Sequence, residues 1–76
     1  MSELPRVTGK EAIDAFKRLG FVESRIRGSH HILKKAGHPS VLSVPVHGST
    51  QLKPGTLRGL IRASGHSTEE FVAALR

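Results

Sequence analysis

Between residues 21 and 35 the chain reads as two alternating runs split by only two residues, Gly28-Ser29. This feature constrains the fold more than any other. Residues 21–27 mix β-branched, aromatic and basic side chains. Val22, Ser24 and Ile26 fall on one face and Glu23, Arg25 and Arg27 on the other, the pattern of a half-buried strand. A second strand runs from about His30 to Lys35. So short a connection makes the pair an antiparallel hairpin. Side chains alternate along a strand, so His30 and His31 point to opposite sides of the sheet. Leu33 belongs inward, which places His31 inward or flanking and turns His30 outward with Ile32 and Lys34. Arg25 and Arg27 lie opposite Val22 and Ile26 on the first strand. Alternation alone does not say whether they share the face of His30.

The rest of the chain supplies cover for such a hairpin. Thr8 and Glu11 have the spacing of a capping box, and Ala12, Ile13, Phe16 and Leu19 follow at helical spacing until Gly20. Ala36-Gly37-His38-Pro39 is a second turn. A third strand spans residues 41–46, with Leu42, Val44 and Val46 inward and Pro45 suited to an edge or a strand end. Pro54 opens a helix whose apolar stripe is Leu57, Leu60 and Ile61, with Arg58 and Arg62 on its exposed side and Gly65 at its end. Ser67 and Glu70 form a second capping box ahead of Phe71, Val72 and Leu75. The expected fold is α+β, in the order α-β-β-β-α-α. A three-stranded antiparallel sheet is covered by helices on one face and left open on the other. Residues 1–76 form one domain, with 1–7 as a short tail. A domain of this size buries only about 60% of its unfolded surface.

Charge narrows the partners. The net charge is +6, from 12 Lys and Arg against 6 Asp and Glu. The acids are Glu3, Glu11, Asp14, Glu23, Glu69 and Glu70. From Arg25 to Arg62 every charged side chain is basic, which fits either a polyanion such as nucleic acid or a well-solvated basic surface. Three Phe, with no Trp or Tyr, do not make a base-stacking platform. The absence of Cys excludes disulfides, thiolate metal sites and a cysteine nucleophile. The five His include no helical HxxxH pair, and His30 and His31 diverge, so no metal is expected. No cofactor is expected either. No run is long enough to cross a membrane, and Met1-Ser2-Glu3-Leu4-Pro5 lacks an apolar leader, so the expected location is the cytoplasm.

Four stretches in this order carry a family resemblance: Gly20-Phe21 after the first helix, Gly28-Ser29-His30-His31, Val44-Pro45-x-His47, and Lys53-Pro54-Gly55-Thr56-Leu57-Arg58-x-Leu60-x-Arg62-x-x-Gly65. With the order of elements they resemble the double-stranded-RNA-binding-domain fold and, more specifically, HicA, the toxin of HicA–HicB toxin–antitoxin pairs. Phe21 stands where the family often has Trp, and the connection after the second strand carries fewer charges than in many members. The resemblance implies an mRNA interferase, a small endoribonuclease that arrests translation, with a HicB antitoxin as partner. It implies that the first His of the Gly-Ser-His motif, His30, is catalytic.

The residues suit that chemistry. RNA breaks its own chain when a 2′-hydroxyl attacks the neighbouring phosphate. A catalyst removes the hydroxyl proton, neutralises the phosphate and helps the 5′ oxygen leave. An ordinary imidazole, with a pKa of about 6.5, fits the proton step, and positioned acid–base help is worth about 10²–10⁴ in rate. His30 serves as the base. Arg25, Arg27, Lys34, Lys35, Arg58 and Arg62 are candidates for the phosphate, joined by Lys53 at the start of the second main helix. Gly28 allows close approach of the RNA backbone and Ser29 can donate to a phosphate. His47 is the candidate second proton carrier or phosphate ligand; capping of backbone groups is its plainer role. His31, His38 and His66 read as structural or solvent-exposed. The alternative function is a non-catalytic RNA-binding module resting on Lys53, Arg58 and Arg62.

Overall fold

The computed structural model describes residues 3–76; Met1 and Ser2, the start of the expected tail, lie outside the described residues. The elements run α1 (Gly9–Arg18), β1 (Val22–Arg27), β2 (His30–Lys34), β3 (Leu42–Pro45), α2 (Pro54–Ser64) and α3 (Thr68–Ala74). The α+β order is the one expected. Local chemistry explains most of the boundaries. At α1 the Glu11 N–H donates to the Thr8 hydroxyl (3.2 Å) and the Thr8 N–H to the Glu11 carboxylate (2.8 Å). Such a cap is worth about 1 kcal/mol. Gly20, at φ +103°, turns the chain out of this helix. Ser67 and Glu70 cap α3 in the same reciprocal way. Pro54 opens α2, and Gly65 closes it in the left-handed conformation.

The sheet has the order β1-β2-β3, and both pairings are antiparallel. Arg27 pairs with His30 across the two-residue turn. Gly28 takes the first turn position at φ +59° and Ser29 has no positive φ, as a type II′ hairpin requires. The turn is tied down from β3, because the Val46 N–H donates to the Ser29 carbonyl (2.8 Å).

Strict alternation fails in β1. Glu23 pairs with Leu33 and Arg25 pairs with Ile32, which leaves Ser24 as the extra residue of a β-bulge. The bulge changes the faces on one side of it. Val22, expected beside Ile26, instead shares a face with Arg25 and Arg27. Glu23, expected beside the two arginines, turns to the opposite side. Nor is β1 half-buried as expected: Val22 is 63% and Ile26 58% exposed. Helices α1 and α2 pack on β3, at the far side of the sheet from β1.

The core therefore sits off-centre. Leu33, Leu42 and Val44 are fully buried beneath Phe16, Leu57 and Ile61. Phe16 meets Phe21 edge-on at 6.0 Å between ring centroids and Phe71 at 4.9 Å. A side chain of this size, fully buried, contributes about 1.5–3 kcal/mol by removal of apolar surface from water. Arg18 donates to the Ala74 carbonyl (2.7 Å), joining α1 to α3. A Cβ added at Gly9 would run into the Pro45 carbonyl oxygen, so the start of α1 lies directly on the end of β3. Part of the expected tail belongs to this core. Val7 is buried, Leu4 packs on the cluster, and the Leu52 N–H donates to the Val7 carbonyl (2.8 Å). A lone Val between Arg6 and Thr8 has no periodicity that would announce this.

Candidate functional site on the open sheet face

Cross-strand partners share a face, with Cβ atoms about 4.5–5.5 Å apart. The register therefore maps the uncovered side. One row is Arg27, His30 and Pro45; the next is Arg25, Ile32 and Ser43; beyond it Lys34 lies beside Val22. Arg27, His30, Ile32 and Ser43 line one shallow depression of about 430 Å³. His30 is exposed. Neither its side chain nor that of Arg25, Arg27 or Lys34 has a hydrogen-bond or ion-pair partner among the described residues.

The other side of the same strands is different. His31 lies between Ile26 and Val44 and shares the face of buried Leu33. Its Nδ1–H donates to the Glu23 carboxylate (2.5 Å), and Lys17 Nζ stands 3.5 Å from the second carboxylate oxygen. The hydrogen bond from His31, aided by the charge of Lys17, holds the Glu23 carboxyl below its ordinary pKa. The bulge at Ser24 thus does electrostatic work. It turns the one acid of β1 away from the face of His30, where the side chains of Arg25, Arg27 and Lys34 meet no carboxylate among the described residues.

The other histidines are held in place by the fold. His38 donates from Nε2 to the Ala63 carbonyl (2.7 Å) and meets Phe21 edge-on. His66 accepts at Nε2 from Lys35 Nζ (3.3 Å), while its Nδ1 faces the Glu70 carboxylate at 3.4 Å. The Ser67 N–H, then His66, hold the Glu70 carboxyl low.

The sequence candidates separate into groups. Arg25, Arg27, His30 and Lys34 come together on the open face, with Gly28 and Ser29 in the turn beside them. Lys35 does not join them; it lies over the Phe21 ring at 5.6 Å and donates to His66. His47 and Lys53 line a second depression with Thr50 and Thr56, and Pro45, from the row of His30, lines it too. Arg58 and Arg62 are exposed on α2, in the helical layer, and Arg58 borders a groove with Pro5 and Gln51. Sequence reasoning missed Ser43, a hydroxyl in the depression of His30. Its signal was there: an exposed polar position between Leu42 and Val44. Among the described residues no three His, Asp or Glu side chains gather as a metal ion would need, and no helix is long and apolar enough to cross a membrane.

No curated protein matches the chain. A family model does, the one described as HicA toxin of bacterial toxin–antitoxin, over residues 9–66. That span runs from the start of α1 through β1, the Gly-Ser-His turn, β2, β3 and α2, and stops just short of α3. With the helix-backed sheet and its exposed histidine already in place, a match over three-quarters of the 76 residues shows that the chain belongs to the HicA toxin family.

Proposed function

We propose that this toxin is a metal-independent endoribonuclease that cuts mRNA in the cytoplasm and so arrests translation, with His30 as its general base. The observation that carries the reading is the setting of His30: an exposed imidazole whose side chain has no partner among the described residues, on a strand face that it shares with Arg25, Arg27 and Lys34. A neutral imidazole there accepts the 2′-hydroxyl proton. Arg25, Arg27 and Lys34 attract the phosphodiester and offset the charge that builds on it in the transition state. Gly28 and Ser29 at the turn give the RNA backbone room and a further donor. Family membership implies a HicB-type antitoxin as partner. A basic open face suits an acidic inhibitor that covers His30, and hydrogen exchange on the toxin–antitoxin complex would then show residues 28–35 protected.

The test is expression of the toxin alone. Growth stops and purified protein shortens RNA in EDTA, while His30→Ala folds, leaves RNA intact and lets cells grow. An alanine variant as toxic and as active as its parent contradicts the proposal. Lys53, Arg58 and Arg62 are exposed and none of them lines the depression of His30, which supports a second reading, a module that binds RNA without cutting it. RNA retained but intact in EDTA would support that reading.

A further inference from the structure

We infer that Arg27 is the catalytic partner of His30 and that the centre works with a single titrating group. The inference rests on the ribonuclease reading and adds to it the means by which the transition state and the leaving oxygen are handled. Arg27 is the direct cross-strand neighbour of His30, at the first pair above a two-residue turn whose register leaves no slack. Both line the same depression with Ile32 and Ser43, and no other titratable side chain lines it. The nearest acid on the strand, Glu23, is engaged by His31 and Lys17 on the opposite side, so no ion-pair partner among the described residues neutralises Arg27. His47 does not line this depression; it lines the adjoining one, which Pro45, the partner of His30 on β3, also borders.

A guanidinium stays charged at every working pH and offers parallel donors that match two phosphate oxygens. The step then runs on the residues of one depression. The 2′-hydroxyl gives its proton to the imidazole of His30 as its oxygen bonds to phosphorus. Arg27, with the Ser43 hydroxyl, holds the negative oxygens of the five-coordinate phosphorus. The bond from phosphorus to the 5′ oxygen breaks, and that oxygen takes a proton from water. The hydroxide so formed takes the proton held by the imidazolium. The products are a 2′,3′-cyclic phosphate and a 5′-hydroxyl end, with no net change in protons. Because no side chain in the depression delivers a proton to the 5′ oxygen, only the base titrates. Activity rises once with pH and then stays level, whereas an acid–base pair gives a bell.

The experiment measures single-turnover cleavage of short RNA of randomised sequence, in EDTA, from acid to mildly alkaline pH. It compares the parent with Arg27→Ala, Arg27→Lys and His30→Ala and checks each by thermal melting. The expected parent profile has one rising limb, and its products end in cyclic phosphate. Arg27→Ala melts like the parent, keeps the rising limb and loses about 10²–10³ in rate, the cost of one removed oxyanion donor. Arg27→Lys recovers part of it. Arg27→Ala within threefold of the parent rate, or a bell-shaped parent profile whose falling limb vanishes in His47→Ala, overturns this inference and leaves the ribonuclease reading standing. A parent that leaves the RNA intact overturns both.

Discussion

His30 and His31 are joined by one peptide bond and occupy opposite environments. His31 lies on the helix-covered face between Ile26 and Val44, with its Nδ1–H committed to Glu23. His30 lies on the open face beside Arg27, with no partner among the described residues. The pleat sends the two rings apart, but it does not set their electrostatics. That is the work of one extra residue, Ser24, which lets Glu23 face the first ring while Arg25 and Arg27 face the second. One side of the sheet satisfies its polar groups and carries the core. The other holds an imidazole and three cations whose side chains have no partner among the described residues.

The comparison can be broken most severely from the covered side. Phe71→Ala should cost about 3–5 kcal/mol, because the ring is fully buried against Phe16. For a domain with so thin a margin, chemical denaturation should find it largely unfolded. An unchanged midpoint would mean that α3 is dispensable to the core. On the open side Arg25→Ala should leave the midpoint alone, weaken RNA retention several-fold and lower the salt slope of binding by about one, as loss of one phosphate contact does. A slope that does not move would remove Arg25 from the interface. Thr8→Ala should cost about 1 kcal/mol by uncapping the helix that covers β3, with no change in the pH dependence of cleavage.

Glu23→Gln sharpens the contrast with the smallest effect. A carboxyl whose pKa is lowered by folding adds stability above its unfolded value and loses that share as pH falls through its folded value. His31, then Lys17, lower the pKa of Glu23. The parent should therefore be more stable than Glu23→Gln near neutral pH, and the gap in melting temperature should close in acid. A gap that persists unchanged at low pH would show that the ion pair adds nothing to the fold.

What the sequence reveals of this division depends on how far each signal reaches. The caps of α1 and α3 are legible because donor and acceptor sit three residues apart. The outward turn of His30 is legible because β2 is regular, so counting back from Leu33 succeeds. Counting along β1 fails at Ser24, since a bulge leaves no mark in a run of mixed polar and apolar residues. Alternation therefore misassigns the faces of Val22 and Glu23, although Arg25 and Arg27 share the face of His30. Lys35 adjoins Lys34 in the chain, yet β2 ends between them and its contacts are Phe21 and His66, the second 31 positions away. Arg58 and Arg62 follow the helical pattern faithfully, but the pattern does not say that α2 lies on the far side of the sheet from His30.

The most direct measurement places the two neighbouring histidines side by side: cleavage of RNA in EDTA by the parent, His30→Ala and His31→Ala, at a temperature where melting curves show all three folded. His30→Ala should lose about 10²–10⁴ in rate with its melting temperature unchanged, and His31→Ala should melt earlier while still cutting. Equal cleavage by the parent and His30→Ala, or a loss of activity that follows His31, would contradict this expectation.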